Sequence, residues 1–521
     1  MKKRILSGLL AGVLLLLCAC GAKAGQTATE TAPETTTATA REEAPARIDD
    51  KYREWYEVFV WSFSDSDGDG VGDLKGLTEK LDYIRELGCN GIWLMPVMPS
   101  PSYHKYDVTD YYGIDPQYGT MEDFRALLAA AHQRGIRIIL DLPVNHTSDR
   151  HPWFLRAAEE PDSPYRDYYV WSDGPADGYT EKNGAWYESR FVDSMPDLNL
   201  DNPAVRQEIE DILRFWLEDV GADGFRLDAV TSYYTGDRNR NVEFLTWLGD
   251  TAHAIAPECY LVGEAWDNLS AIQVYAQSSI DSFFLFPMSQ SEGWIAKVLG
   301  IRNSRPGAML GQYLTELQEA LPSSIPAPFL ENHDTGRTVG FTGRDDPART
   351  KMAGGLLCMM PGSVFIYYGQ EIGMVGSGDD PNKRIGMLWS SQEDTTSPPP
   401  GVTKLEYAYP SVADQEADPG SILNYYKAAL TLRARFPAIA RGRTEVLPTE
   451  DERLCLAVRS WEDSDVLLAV NPSREAAAYN LGDPAYNVLA ASLVTGAEPV
   501  TLEGGTLTLP AYSIAILTRG E

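Results

Sequence analysis

Short apolar runs alternate with amphipathic stretches through most of this chain. Residues 74–87 and 121–134 carry apolar side chains at helical spacing, which predicts two helices. Apolar runs bounded by polar residues predict eight buried strands, at 57–62, 91–95, 136–142, 224–228, 260–264, 282–286, 327–330 and 363–367. Strands that alternate with helices in this way predict an α/β fold, a (β/α)8 TIM barrel with a parallel sheet.

Two segments depart from this alternation and predict further domains. About fifty-five residues separate the third strand from the helix that begins near Pro203, far more than an ordinary strand-to-helix loop. They are dense in aromatic residues, so we expect an excursion domain at 147–201 that overhangs the active site. After a helix at 421–435 the pattern changes to the period of two typical of half-exposed strands, which predicts a C-terminal antiparallel β-sandwich at 441–521. The barrel would then occupy 51–146 and 202–440.

The N-terminus has the pattern of an export signal. Basic residues precede an apolar run at 9–17 that is too short to favour a permanent membrane span. The following Leu17-Cys18-Ala19-Cys20 resembles a bacterial lipobox, which implies a lipoprotein signal peptide at 1–20 with Cys20 as the acylated residue; the alternative is a plain secretory signal. Residues 21–50 lack apolar periodicity, which is typical of a disordered tether. We therefore expect an exported, cell-surface lipoprotein anchored to the bacterial membrane by its lipid alone.

The charge of the chain argues against two classes of partner. With 75 acidic and 44 basic residues, the formal net charge is −31, which disfavours binding to nucleic acid and to anionic membrane surfaces. A neutral polymer such as a glucan is compatible with this charge, and a monomer is the expected oligomeric state. The cysteines outside the signal peptide are widely spaced, so we expect free buried thiols rather than disulfides or a metal site at Cys89, Cys259, Cys358 and Cys455.

Four short segments place polar side chains at the ends of predicted strands. They are DLPVNH at 141–146, GFRLDAV at 224–230, GE at 263–264 and FLENHD at 329–334. The carboxyl ends of strands in a parallel barrel meet at one face, so these carboxylates, histidines and arginine should converge there. Cleavage of a glycosidic bond needs such a set: a nucleophilic carboxylate, a protonated acid near the leaving oxygen, and donors to the ring hydroxyls.

The ordered set resembles the α-amylase family of retaining glycoside hydrolases, glycoside hydrolase family 13, which also holds oligo-1,6-glucosidases and neopullulanases. The resemblance runs from Trp55 to the C-terminus and includes GIWLMPVMPS at 91–100, YDVTDYYGIDPQYGT at 106–120, MPDLN at 195–199 and GSVFIYYGQE at 362–371. MPDLN stands between the forms typical of these groups. The resemblance therefore implies a bacterial α-amylase intermediate between α-amylases and the oligo-1,6-glucosidase and neopullulanase groups.

The resemblance assigns roles to the polar residues at the strand ends. It implies that Asp228 is the nucleophile and Glu264 the general acid/base. Asp334 would be the third carboxylate, which orients the sugar at the reaction centre. His146 and His333 would hold ring hydroxyls through hydrogen bonds that strengthen in the oxocarbenium-like transition state.

Four more residues are implied as neighbours of the reaction centre or of the sugar. Arg226, two residues before Asp228, would stabilise the ionised carboxylate through its charge. The Tyr106 ring matches the family position that stacks on the sugar at the cleaved bond, and a tyrosine face suits the apolar face of a pyranose. His104 resembles a further contact to that sugar. Arg384, in the loop after the last predicted strand, is similar to a residue that borders the cleft in glucosidase-type relatives.

An acidic loop, DSDGDGVGD at 65–73, follows the first predicted strand. Its carboxylates stand at alternate positions, and hard oxygen ligands at this spacing suit Ca²⁺. An EF-hand would need Glu at the twelfth position, where this chain has Gly76. The loop is instead similar to the calcium loop of oligo-1,6-glucosidase-like members of the family. The implied ligands of the Ca²⁺ cofactor are Asp65, Asp67, Asp69, the carbonyl of Val71, and Asp73.

These features predict an α-amylase that cleaves internal α-1,4-glucosidic bonds of starch, glycogen or maltodextrins by double displacement. Exo-acting relatives carry a gripping Asp before the stacking Tyr, where this chain has Tyr103, and Ala229 is similar to α-1,4-acting members. The enzymatic alternatives are an exo-acting α-glucosidase or oligo-1,6-glucosidase, a neopullulanase-like hydrolase, and a transglycosylase. An inactive glucan-binding surface lipoprotein is the alternative from another class, and the presence of every catalytic motif disfavours it.

Overall fold

The structure is a computed structural model that describes residues 48–393, 395–482 and 485–520. The predicted signal peptide, the predicted acylation of Cys20 and nearly all of the predicted tether lie outside the described residues. None of the helices in the described residues has the length and the apolar character of a membrane-spanning segment. The cysteines predicted to be free are confirmed as free and buried: Cys89, Cys259, Cys358 and Cys455.

The first part of the chain builds three neighbouring strands and the helices that cover them. These are β1 (Glu54–Val58), β2 (Gly91–Leu94) and β3 (Arg137–Leu142), with α1 (Val60–Phe63), α2 (Leu74–Glu79), α3 (Leu81–Leu87) and α4 (Met121–His132). The strand predicted at 57–62 is wrong in its bounds, since β1 ends at Val58 and α1 follows. Nearly the whole run is buried, so its periodicity does not separate strand from helix. The helix predicted at 74–87 is two helices that meet at Lys80.

The segment after β3 packs its apolar side chains into the same core as the barrel and its helices. It contains α5 (Pro152–Glu159), a 3-10 turn at Arg166–Tyr168, and the antiparallel strands β4 (Trp171–Ser172), β5 (Tyr179–Lys182) and β6 (Ala185–Glu188), paired in the order β4-β6-β5. Phe154 packs edge-on against Tyr169 and Tyr187 in its interior. A backbone bridge between His146 and Asp197 ties this segment to the end of β3. Many of its aromatic residues therefore pack this core.

The second part of the chain adds the other five barrel strands. They are β7 (Gly224–Leu227), β8 (Tyr260–Gly263), β9 (Ser282–Phe284), β10 (Ile325–Ala327) and β11 (Val364–Tyr367). The helices are α6 (Pro203–Arg214), continued by a π-helical turn at Phe215–Val220, α7 (Arg238–Ile255), α8 (Leu269–Tyr275), α9 (Trp294–Val298), α10 (Pro306–Ala320), α11 (Val339–Thr342), α12 (Pro347–Cys358), α13 (Val412–Glu416), α14 (Ile422–Arg435) and α15 (Ala438–Arg441). Short 3-10 turns lie at Phe286–Met288, Gln370–Ile372 and Asp380–Lys383. The strand predicted at 327–330 is wrong in its bounds, since β10 ends where the prediction begins.

Side-chain caps set where several barrel helices begin. Asp73, the last residue of the acidic loop, caps α2 and so fixes that loop to the helix. Thr120 and Asp123 form a capping box at the start of α4. Asn202 caps α6, whose first position is Pro203. Each helix therefore begins at a point that its local sequence specifies.

The strands β1 to β3 and β7 to β11 form a nearly closed parallel barrel. Their order is β10-β9-β8-β7-β3-β2-β1-β11, and a parallel bridge between Phe329 and Phe365 joins the two edges. Aromatic side chains fill the interior, where Trp55 stacks on Tyr260 at 5.0 Å and on Phe365 at 5.9 Å between ring centroids. Parallel pairing places every strand's carboxyl end on one face. The predicted (β/α)8 TIM barrel is confirmed.

After α15 the chain forms two antiparallel sheets. The strands are β12 (Arg443–Leu447), β13 (Cys455–Trp461), β14 (Ser464–Asn471), β15 (Ala477–Asn480), β16 (Val488–Val494), β17 (Thr501–Glu503), β18 (Thr506–Leu509) and β19 (Ser513–Thr518). One sheet has the order β12-β13-β14-β19-β16 and the other β15-β18-β17. Leu456 and Leu517 of the first sheet pack with Leu507 of the second in a separate apolar core. The predicted C-terminal β-sandwich is confirmed.

Candidate active site

A buried arginine lies at the centre of the polar residues at the ends of β3, β7 and β8. Arg226 belongs to β7 and is 0 % exposed. Its Nη1 lies 2.8 Å from Asp141 Oδ1 and 2.5 Å from Asp228 Oδ1, and its Nη2 lies 2.9 Å from Glu264 Oε1. One guanidinium thus contacts three carboxylates from three neighbouring strand ends. This is the convergence that the strand-end motifs predict.

The carboxyl of Glu264 has its pKa raised to about 7. Burial is the largest cause and the carboxylate of Asp228 adds to it, while the charge of Arg226 opposes it. The backbone N–H of Ala229 donates to Glu264 Oε2 at 3.0 Å, from a left-handed conformation with φ of 50°. Glu264 is therefore an acid near neutral pH, beside a carboxylate that is ion-paired with a permanent cation. Two carboxyl groups in such different environments can act as acid and nucleophile.

A second cluster follows β10. Asp334 Oδ1 lies 2.7 Å from Arg384 Nη2, and its Oδ2 lies 3.0 Å from His333 Nε2. Burial alone would raise the pKa of Asp334, but the charges of His333 and Arg384 outweigh burial and hold that pKa well below its usual range. Asp334 is therefore a fixed anion. Arg384, predicted from a resemblance in one loop, contacts this third carboxylate directly.

Tyr106 connects the two clusters through its hydroxyl group. The hydroxyl oxygen lies 3.0 Å from Asp141 Oδ2 and 2.7 Å from His333 Nε2. The Tyr106 ring is stacked on the imidazole of His333 with 5.5 Å between ring centroids. The orientation of this ring is thus fixed by contacts to both clusters before any substrate binds.

The other two predicted histidines have different surroundings. His146 is buried, and its Nε2 has no hydrogen-bond partner among the described residues. A buried polar atom without a partner is unfavourable, so this nitrogen is suited to a hydroxyl group of a bound sugar. His104 Nδ1 accepts a hydrogen bond from the backbone N–H of Tyr106 at 3.2 Å, and burial lowers the His104 pKa to about 4. A neutral His104 then carries its proton on Nε2, which leaves that nitrogen as a donor.

Two further residues of the site have no role predicted from the sequence. Glu57 in β1 has its Oε1 2.7 Å from His333 Nδ1. Asp141 shares Arg226 and accepts a hydrogen bond from Trp93 Nε1 at 3.2 Å. Both had a signal in the sequence, since Asp141 opens the DLPVNH motif and Glu57 is the one charged residue of the apolar run 55–63.

The acidic loop lies between α1 and α2, and three of its carboxylates meet. One oxygen each from Asp65, Asp67 and Asp73 lie within 4.8 Å of one another. These are hard ligands at a separation that one divalent cation can bridge, so the residues fit Ca²⁺. Asp69 lies outside this group, and its Oδ1 accepts a hydrogen bond from the N–H of Val71 at 2.7 Å. Ligation by Asp69 and by the Val71 carbonyl stays a prediction.

Comparison with known proteins gives the family. Residues 57–442 match the sequence profile described as the catalytic domain of alpha amylase. Alpha-amylase 3 of Dictyoglomus thermophilum is 40 % identical over 446 residues, which cover 82 % of this chain and 86 % of that protein. Oligo-1,6-glucosidase of Heyndrickxia coagulans is 31 % identical over 534 residues, covering 83 % and 94 %. The solved structure of Eubacterium rectale Amy13B is 43 % identical, with a TM-score of 0.88 and coverage of 91 % and 97 %. The chain therefore belongs to the α-amylase family of glycoside hydrolases.

Proposed function

We propose that this enzyme cleaves internal α-1,4-glucosidic bonds of starch, glycogen or maltodextrins by double displacement. The observation that carries the proposal is the meeting of Asp228, Glu264 and Asp334 at one barrel face, with Asp228 ion-paired to Arg226 and Glu264 protonated near neutral pH. Greater identity to a relative named alpha-amylase than to one named oligo-1,6-glucosidase supports the choice within the family.

In the proposed first step, Asp228 attacks the anomeric carbon while Glu264 gives its proton to the leaving oxygen. The glycosidic C–O bond breaks, a glycosyl ester forms on Asp228, and Glu264 becomes a carboxylate. The N–H of Ala229 and the guanidinium of Arg226 both stabilise that carboxylate. In the second step Glu264 takes a proton from water, the water oxygen attacks the anomeric carbon, and the ester bond breaks.

Asp334 and His146 would orient the sugar during both steps. Asp334 is a fixed anion that can accept hydrogen bonds from ring hydroxyls, and the unpartnered Nε2 of His146 lies at the end of β3. Hydrogen bonds to these hydroxyls strengthen as positive charge develops on the ring. The stacked ring of Tyr106 would supply an apolar face for the same sugar.

Internal cleavage is proposed because of Tyr103. At this position exo-acting relatives carry an Asp that grips the non-reducing end and closes the pocket. The Tyr103 hydroxyl instead accepts a hydrogen bond from Arg384 Nη1 at 3.1 Å, and its ring packs edge-on against Phe59. A neutral side chain that is already hydrogen-bonded at this position favours a cleft through which a glucan can run.

An exo-acting α-glucosidase or oligo-1,6-glucosidase is the second candidate, since one relative carries that name and MPDLN is intermediate in form. Transglycosylation is compatible with the same ester, because a sugar hydroxyl can replace water in the second step. A binding protein without activity is disfavoured, since Arg226 contacts both Asp228 and Glu264.

The roles of the two carboxyl groups can be separated by choice of leaving group. Glu264→Gln should lower the turnover number on maltoheptaose by about two to four powers of ten, because the leaving oxygen loses its acid. An aryl α-maltotrioside with an acidic phenol needs no such proton, so this variant should still release phenol in a first-turnover burst. Asp228→Asn should lose both reactions, since no ester forms. Rapid-mixing absorbance and product chromatography measure the two reactions.

The pH profile checks the same assignment in the unaltered enzyme. A raised Glu264 pKa means that the acid form is present below about pH 7 and is lost above it, so kcat/KM on maltoheptaose should fall as the pH rises through that value. Glu498 of the sandwich is exposed and gives a matched control, so Glu498→Gln should change neither the rate nor the pH profile. For the other carboxylate, an Asp228→Asn enzyme that turns over maltoheptaose at the wild-type rate would show that Asp228 is not the nucleophile.

Soluble starch distinguishes internal from terminal cleavage. If the glucan runs through the cleft, viscosity and iodine colour should fall well ahead of reducing-sugar release, with maltose and longer oligosaccharides appearing early. Viscometry and a reducing-end assay on one time course compare the two. Glucose as the sole early product, with viscosity nearly constant, would establish the exo-acting candidate instead.

We also propose that the acidic loop binds Ca²⁺, on the strength of its three grouped carboxylates. Calcium at about 100 times its Kd should stabilise the fold by about 3 kcal/mol, so exhaustive chelation should lower the melting temperature. Asp67→Asn should melt lower and lose most of its response to chelator. An unchanged melting curve, together with a metal analysis that finds no calcium, would refute the site.

We further propose that the enzyme is exported and anchored through acylated Cys20, from the lipobox-like sequence and the basic and apolar residues before it. In a bacterial host, Cys20→Ser should move the enzyme from the membrane pellet to the soluble exported fraction, as immunoblots of both fractions would measure. Equal release of the wild-type protein would favour the plain secretory signal.

A further inference from the structure

Glu57 is a buried carboxylate that the displacement steps above do not use. It is 1 % exposed, its Oε1 lies 2.7 Å from His333 Nδ1, and the backbone N–H of His333 lies 3.3 Å from the same oxygen. Burial of a carboxylate is strongly unfavourable unless a charge or hydrogen bonds compensate it. Burial raises the pKa of Glu57, while the contacts to His333 and the charge of Arg226 oppose that rise. Both hydrogen bonds of Glu57 are to His333, and that residue contacts Asp334.

The contacts of His333 call for a proton on each ring nitrogen. Nδ1 faces Glu57 Oε1 at 2.7 Å and Nε2 faces Asp334 Oδ2 at 3.0 Å. An ionised carboxylate only accepts hydrogen bonds, and a neutral imidazole carries only one N–H. The Tyr106 hydroxyl, 2.7 Å from Nε2, has Asp141 Oδ2 at 3.0 Å as its own acceptor. Above the raised pKa of Glu57, the ring is therefore an imidazolium between two carboxylates.

We propose that Glu57 is a positioning residue that holds His333 as an imidazolium, and that this cation in turn anchors Asp334 against the sugar at the reaction centre. The inference rests on the proposed function, since it needs Asp334 to orient the substrate. Glu57 itself touches no reacting atom. Its effect passes through the two ring nitrogens of one histidine.

The charges around His333 explain why a second carboxylate is needed. Burial disfavours a positive charge on His333. Two nearby cations act in the same direction: Arg384, whose Nε donates to the His333 carbonyl at 3.0 Å, and Arg226, which contacts the Tyr106 hydroxyl beside the ring. Asp334 and Glu57 oppose them, and together they raise the pKa of His333 to about 9 although burial alone would lower it. The remaining polar groups facing the ring are the hydroxyl of Tyr106 and the carboxylate of Asp141.

Loss of the Glu57 charge should therefore disturb Asp334. With Gln at position 57, Asp334 alone opposes burial and the two arginines, so His333 gives up its proton at lower pH. A neutral ring that keeps its proton on Nδ1 presents the Nε2 lone pair to Asp334 Oδ2, and two acceptors at this separation repel each other. Asp334 would then shift from the position it holds in the structure. Because its bonds to the sugar strengthen in the transition state, kcat should suffer more than KM.

The test compares Glu57→Gln with wild type in the alkaline limb of the pH profile, the range in which kcat/KM falls as the pH rises. The substrate is an aryl α-maltotrioside with an acidic phenol. Its kcat/KM does not need the proton of Glu264, so the alkaline limb reports the loss of the proton from His333. Wild type should lose activity near pH 9. Glu57→Gln should lose it about one pH unit lower or more, with kcat at the optimum reduced about ten- to a hundredfold and a smaller change in KM. Glu57→Asp, which keeps the charge, should restore the limb toward that of wild type.

Glu371→Gln is the matched control. Glu371 is also fully buried and accepts hydrogen bonds from Tyr56 at 2.7 Å and Tyr83 at 2.6 Å. Its loss should lower the melting temperature and leave the alkaline limb in place. A Glu57→Gln enzyme that keeps the wild-type alkaline limb would overturn the inference while the proposed function stands.

A measurement on the unaltered protein covers the case in which Glu57→Gln does not fold. Nitrogen NMR of labelled histidines resolves the protonation of each ring, and the chain has only 6 histidines. The resonances that disappear in His333→Asn should report protons on both nitrogens up to about pH 8. A neutral ring at neutral pH would overturn the inference. A wild-type enzyme that cleaves neither maltoheptaose nor the aryl glycoside would overturn the proposed function. The NMR result would still test whether His333 is the imidazolium that Glu57 is proposed to hold.

Discussion

The burial of one guanidinium, that of Arg226, is the constraint on which the site depends. Removing one partner of a buried ion pair typically destabilises a protein by about 3–5 kcal/mol, so the carboxylates around Arg226 are tied to its presence. Their strands, β3, β7 and β8, are neighbours in the barrel, and only the parallel arrangement brings their carboxyl ends to one point. One cation cannot neutralise three carboxylates. The excess negative charge adds to burial in keeping Glu264 protonated near neutral pH.

The second cluster applies the same principle with the opposite outcome. The Asp334 side chain is 27 % exposed, against 9 % for that of Glu264, and His333 and Arg384 hold it as an anion. The site thus contains an acid and a fixed anion, which differ in their exposure and in the cations around them. Trp93 of the barrel interior donates a hydrogen bond to Asp141 and packs edge-on against His333. Both clusters therefore contact the aromatic core. Packing inside the barrel and protonation at its face are therefore linked.

Much of the fold and of the site could be predicted from the sequence because barrel strands are short apolar runs with polar ends. The bounds of β1 and β10 could not, since runs buried on all sides have no periodicity that separates strand from turn or helix. The strand-end motifs pointed to Arg226 and its partners. Glu57 was missed because a lone carboxylate in an apolar run marks an unusual position but does not identify its partner, and only the fold places His333 beside it. The spacing of the acidic loop also predicted Asp69 as a ligand, and this stays a prediction, since the carboxylates that meet in the structure are those of Asp65, Asp67 and Asp73.

The proposed double displacement requires that Asp228 form a covalent bond to the substrate. A 5-fluoro-α-glucosyl fluoride destabilises the oxocarbenium-like transition state of both steps while offering a leaving group that departs readily, so the glycosyl ester should accumulate. Peptide mass spectrometry should then find a single fluorosugar on the peptide that contains Asp228, and no such mass in Asp228→Asn. Turnover without any labelled peptide, or a label on another carboxylate, would contradict the role of Asp228 as nucleophile.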